Sequence, residues 1–172
     1  MTAHAEVAQV WPRDGRIKIV GEIVAAETPS DVSWRLRLSS RERRKIKPPA
    51  WRRAARKITS LAGREVPPPQ SDFMVPVTVD GAGFEADIPL SAFESSDPPL
   101  WEHWDLYLVG AADGESVSLR LGKHDDDMPG KKSIVTFPKQ NVATRSPLSV
   151  RPYFTDNDNL SIRCGRQDQV SP

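Results

Sequence analysis

The side chains best equipped for chemistry in this chain are arginines and aromatics at alternating positions near its C-terminal end. In Val150-Arg151-Pro152-Tyr153-Phe154 and Leu160-Ser161-Ile162-Arg163, Arg151, Tyr153 and Arg163 fall on the outward faces of two neighbouring segments. Two guanidinium groups beside a phenol can hold a phosphate through paired N–H donors. The competing role is internal: pairing with Asp156 or Asp158 at the turn between the segments, or a phenol hydroxyl bonded to nearby backbone. Upstream, Trp101 precedes an alternating run, and Tyr107 points away from Trp104, Leu106 and Leu108. Exposed rings stack on the apolar faces of sugars, so Trp101 and Tyr107 are candidate carbohydrate contacts. Trp104 shares its face with two leucines and is expected in the core.

Other chemistries have weaker support. Asp125-Asp126-Asp127 resembles a diphosphate-metal motif, but it follows Lys123-His124 and precedes Pro129-Gly130, which marks a solvated loop. A weak Ca²⁺ or Mg²⁺ site is the alternative. His4, His103 and His124 are scattered, whereas zinc needs about four converging ligands in paired spacings. Cys164 alternates with Leu160 and Ile162 and is expected as a buried thiol. There is no Gly-x-Ser-x-Gly elbow and no recognisable set of acid, base and nucleophile. The residues therefore point to a non-catalytic chain, with no metal and no cofactor expected.

A second cationic set lies between Arg41 and Lys57. Arg35 to Lys57 holds eleven Lys or Arg against one acid, Glu42, although the formal net charge of the whole chain is only +1. Asp80 to Asp127 holds twelve acids against Arg120 and Lys123. Arg44, Lys45, Trp51, Arg52, Arg53 and Arg56 could meet an anionic lipid surface, an anionic polymer or a nucleic acid. They could equally form a solvated face or pair with the acidic half of the same domain.

These side chains need elements to position them. Period-two alternation recurs at Ile17–Ile23, Trp34–Leu38, Val75–Val79, Phe84–Ile88, Trp104–Leu108, Val117–Leu121 and Leu160–Cys164. Ile134–Phe137 and Val150–Thr155 complete the strand series. Asp80-Gly81-Ala82-Gly83, Ala112-Asp113-Gly114 and Asp156-Asn157-Asp158-Asn159 are expected as turns. Such a series predicts an all-β, antiparallel sandwich of eight to nine strands. One segment breaks the pattern: Trp51, Ala54, Ala55, Ile58 and Leu61 sit at helical spacing, predicting a short basic helical insertion closed by Gly63. The expected organisation is a flexible segment over 1–13, one domain over 14–166 with the insertion at about 41–70, and a flexible tail over 167–172. One cysteine, no signal-like N-terminus and no run of ~20 apolar residues point to a cytoplasmic chain. Its placement becomes peripheral at the membrane if the basic segment meets lipid.

The block Gly83-Phe-Glu-Ala-Asp-Ile-Pro-Leu, then Trp104-Asp-Leu-Tyr-Leu and Arg120-Leu-Gly-Lys-His, then Arg151-Pro-Tyr-Phe-Thr and Asn159-Leu-Ser-Ile, resembles a known family. It is similar to the immunoglobulin-like β-sandwich domains beside bacterial teichoic-acid-type glycosyltransferases and CDP-glycerol glycerophosphotransferases. The similarity runs from about Arg16 to Arg163. It implies an accessory domain that binds a carbohydrate or polyol-phosphate polymer, anionic or neutral, for a separate or fused transferase. These residues have neither the room nor the pattern for an α/β nucleotide-binding domain. Trp101, Tyr107, Arg151, Tyr153 and Arg163 would be its ligand contacts. A protein-interaction or oligomerisation module is the alternative from a different class. A membrane-surface binder follows, with nucleic acid the weakest partner.

Overall fold

In the computed structural model, the described residues are 3–24, 32–42, 71–94, 100–112, 115–122, 131–142 and 147–166. They form ten strands: β1 (His4–Arg13), β2 (Arg16–Val24), β3 (Ser33–Ser40), β4 (Asp72–Asp80), β5 (Gly83–Pro89), β6 (Trp101–Ala112), β7 (Glu115–Gly122), β8 (Gln140–Val142), β9 (Leu148–Phe154) and β10 (Leu160–Arg166). A 3₁₀ turn at Leu90–Phe93 and a single helical turn at Lys131–Ile134 are the short non-strand elements. The expected helix near Trp51–Leu61 lies outside the described residues, as do Arg44, Lys45, Arg52, Arg53, Arg56, the Asp125-Asp126-Asp127 run and the tail from Gln167. No described helix is long and apolar enough to cross a membrane.

The chain is all-β, as the alternation predicts, but its strands close on themselves. The order β3-β4-β5-β2-β1-β7-β6 returns to β3 through a β3–β6 ladder, making a seven-stranded barrel. An immunoglobulin-like sandwich keeps its two layers separate at the edges; here two strands stitch them together. In β4, the residues up to Pro76 pair with β3 and those from Val77 pair with β5. Proline suits this switch because it has no N–H to give to a ladder. In β7, the residues up to Arg120 pair with β6, while Leu121 and Gly122 pair with β1. The β1–β7 pairing is parallel, against the all-antiparallel expectation. Alternation reports only which face of a strand is apolar, so closure could not be read from it.

The N-terminal segment is not frayed: His4–Arg13 is a barrel strand paired along β2. Its pattern is hidden by a bulge. Val7 pairs with Gly21 and Gln9 with Val20, leaving Ala8 as the extra residue. Ala5 and Val7 face inward before the bulge, and Val10 packs on the core after it, so the period-two phase flips in mid-strand. Asp14 and Gly15, at φ 55° and 72°, then close a tight hairpin to β2.

The expected strand at Ile134–Phe137 is also corrected. Ile134 ends the helical turn and is exposed, whereas Val135 and Phe137 pack on the core without a ladder. The strand proper, β8, begins at Gln140. Two of the expected turns hold: Gly81 takes φ 58° in the Asp80–Gly83 hairpin, and Asp158 takes φ 53° between β9 and β10, whereas Asp113 and Gly114 of the third lie outside the described residues.

The core follows from the alternation. Ile17, Ile19, Leu36, Leu38, Ile88, Leu106, Leu108, Leu160 and Ile162 are fully buried, each contributing about 1.5–3 kcal/mol of transfer free energy. Trp104 is buried among Phe73 and Phe93 with ring centroids 5.0 and 5.9 Å away, and Cys164 is buried as expected.

Candidate functional site

β6 is the branch point of the fold. Along one edge it pairs first with β10, over Trp101–Asp105, and then with β7, over Tyr107–Ala112. Along the other edge it pairs with β3. β9 and β8 continue outward from β10 as a flap. Alternation sends Trp104, Leu106 and Leu108 into the barrel and Trp101, His103, Asp105 and Tyr107 onto its outer surface. Register then sets their neighbours. Arg163 lies opposite His103, Ser161 opposite Asp105, Arg151 opposite Arg163 and Tyr153 opposite Ser161. Arg37 and Arg120 lie opposite Tyr107 on its two sides.

This outer surface divides into two clusters. The first centres on Asp105. Its Oδ1 accepts bonds from Arg41 Nε at 2.9 Å, Arg41 Nη2 at 2.6 Å, Arg120 Nη2 at 2.8 Å and Ser161 Oγ at 3.1 Å. Arg120 Nη1 also donates to the Leu106 carbonyl at 2.7 Å. Burial alone would raise the Asp105 pKa, but the Arg41 hydrogen bond and the charges of Arg120 and Arg41 overcome it and hold the carboxyl below its ordinary value. Glu42 behaves alike: burial pushes it up, and the backbone N–H and ring of His103, at 2.7 and 2.8 Å, bring it below the usual range. Arg41 and Glu42 thus pin the chain to β6 where it leaves the barrel. Next to this cluster, burial raises the Tyr153 phenol, opposed by the charge of Arg41. The Tyr153 ring meets the His103 ring edge-on at 6.0 Å.

The second cluster is a shallow hollow at the flap end of β6, lined by Trp101, Lys139, Ser149, Arg151 and Arg163. It has room for about one water molecule and is open to solvent. Trp101 lies across Gly165 of β10, where a Cβ would come within 2.7 Å of the indole. The Arg163 guanidinium sits over the indole, 5.1 Å from its centroid. Among the described residues, no ion pair to a carboxylate is seen at Arg151 or Arg163, and Asp156 and Asp158 have partners of their own.

Of the five expected ligand residues, the fold brings Trp101, Arg151 and Arg163 together. Tyr153 lies two residues along β9 from Arg151, next to the Asp105 cluster. Tyr107 stands apart, with the Arg37 and Arg120 guanidinium carbons 5.0 and 5.1 Å from its ring centroid. Sequence reasoning missed Lys139, which no periodicity marks, and the Arg41–Asp105–Arg120 cluster. The outward places of Asp105 and Arg120 on two alternating runs were its one available signal. Among the described residues, no three His, Cys, Asp or Glu side chains gather as metal ligands.

No protein-family model matches the chain, and no curated protein matches it. Its fold is similar to the crystal structure of S. aureus TarS, with a TM-score of 0.60 and 17% identity over 95% of this chain and 25% of that one. It is likewise similar to the crystal structure of S. aureus TarS 217-571, with a TM-score of 0.60 and 16% identity over 100% of this chain and 40% of that one. The chain spans about a quarter of the length of TarS, and at this identity the likeness is one of fold.

Proposed function

We propose that this chain is a non-catalytic domain of a teichoic-acid-type glycosyltransferase or glycerophosphotransferase system, holding a carbohydrate or polyol-phosphate polymer for a fused or separate transferase. The observation that carries the reading is the convergence of Trp101, Arg151 and Arg163, from three strands, on one hollow with Lys139. The likeness in fold to TarS, a teichoic-acid glycosyltransferase, supports the class of system. The mechanism is positioning. A domain that holds the acceptor chain near an active site raises its effective concentration into the millimolar range on a short tether.

The alternative of assembly through an exposed sheet edge has less support. Barrel closure removes most edges, and the sheet order ends at β8, which is three residues long. The membrane and nucleic-acid readings rest on residues 41–57, of which 43–57 lie outside the described residues and Arg41 is bonded to Asp105.

Titration of the chain with a teichoic-acid-type polymer, by calorimetry, tests the proposal. Binding should be lost in Arg151→Ala and weakened in Trp101→Ala, with far-UV circular dichroism unchanged. Equal affinity in both variants and the parent chain would overturn it.

A further inference from the structure

The hollow's contacts narrow what it recognises, and this inference rests on the polymer-holding reading above. A site for neutral sugar needs an aromatic face left free for the pyranose ring. Here each outward ring has a cationic or aromatic neighbour. Arg163 lies over Trp101, Arg37 and Arg120 lie over Tyr107, and His103 meets Tyr153. A guanidinium stacked on an indole loses none of its in-plane N–H donors. The indole therefore acts as a platform under Arg163 that leaves its N–H donors available to a ligand.

Register supplies a second, independent observation. Arg151 and Arg163 are directly opposed across the β9–β10 ladder, so both stand on the same face. Like charges directly opposed on neighbouring strands repel. A few residues away, nature's usual remedy is present: Arg41 and Arg120 share Asp105. Around the hollow no described carboxylate does the same, and Lys139 adds a third cation. The Ser149 hydroxyl adds a neutral donor. Two forks, an ammonium and a hydroxyl around a space about one water wide match the oxygens of one phosphate group, held from one side.

We propose that the hollow is a phosphodiester site, recognising the anionic linkages of the polymer and not its sugar rings. One phosphate would lie between Arg151 and Arg163 with Lys139 at its rim, while the polyol carbons on either side run over the surface. Because the grip is one-sided and shallow, a chain could pass across it link by link.

The test uses the whole chain, titrated at low and moderate salt with a poly(glycerol phosphate) oligomer and, separately, with a neutral dextran oligomer of similar length. The phosphate oligomer should bind, weaken steeply with added salt, and lose at least about tenfold in affinity in Arg163→Gln, a loss ordinary for a charge-assisted bidentate contact. Trp101→Phe, which keeps a platform of weaker π character, should lose only a few-fold. Dextran should not bind. Dextran binding that depends on Trp101 would overturn the phosphodiester assignment and leave the polymer-holding reading standing. Absence of binding to either oligomer, with both variants folded, would overturn both.

Discussion

Two cationic clusters share the outer surface of β6, β9 and β10, and they differ in one respect. At Asp105, two guanidinium groups converge on a carboxylate that satisfies them. At the hollow, two guanidinium groups and an ammonium converge on no described carboxylate. The paired cluster is explained by the fold itself, since it ties β3's exit, β7 and β10 to the strand where they branch. The unpaired cluster costs the fold something, and the stacking of Arg163 on Trp101 leaves its charge unneutralised. Such a cost is expected where a surface is kept ready for a ligand. The contrast separates residues that build from residues that bind, although both sets are arginines at alternating outward positions.

Breaking the paired cluster should have the largest effect. Asp105→Ala leaves Arg41 and Arg120 facing each other, and Arg120 is largely buried. Removing one partner of a buried pair costs about 3–5 kcal/mol, and the partial exposure of Arg41 places this case at about 3. A fall in the urea midpoint measures it, with polymer affinity retained in the folded fraction.

Acid should act on the same cluster. The folded-state pKa values of Asp105 and Glu42 lie below their ordinary values. Their contribution is therefore fully present above the unfolded carboxylate value of about 4. It is lost as pH falls through the lower folded values. Urea midpoints measured from pH 7 to pH 3 should be flat and then drop below about pH 4, with a shallower drop in Asp105→Asn. An unchanged drop in that variant would remove Asp105 from the account.

A smaller change sharpens the other side. Gly165→Ala places a methyl group against the Trp101 indole and must lift it. The strain should cost about 1–2 kcal/mol. It should also weaken polymer binding several-fold by displacing the platform under Arg163, with no charge removed. Tryptophan fluorescence together with calorimetry reports both.

Much of this surface was legible in the sequence, for identifiable reasons. Arg151 and Arg163 stood out because alternation alone assigns a face and β9 and β10 are regular throughout, while Trp101 stood out only as an aromatic ahead of an alternating run and proves to be the first residue of β6. Trp104 and Cys164 fell in the core by the same rule. The first strand was not legible because the Ala8 bulge reverses its phase. Barrel closure was not legible because it depends on β4 and β7 changing partners midway, a long-range event that leaves no local period. Ile134–Phe137 misled because Val135 and Phe137 alternate inward as a strand would while pairing with nothing. Lys139 sits in an irregular segment, and only the tertiary path of β8 beside β9 brings it to the hollow.

The smallest expected stability change carries the most direct test. Replacing either opposed arginine, as Arg151→Gln or Arg163→Gln, relieves a like-charge cross-strand pair and should leave the urea midpoint unchanged or raise stability by a few tenths of a kcal/mol. The same variants should bind poly(glycerol phosphate) at least about tenfold more weakly. Higher or equal stability with lost affinity is the predicted result. Reduced stability with affinity retained would show that these arginines build the fold, and would contradict the account.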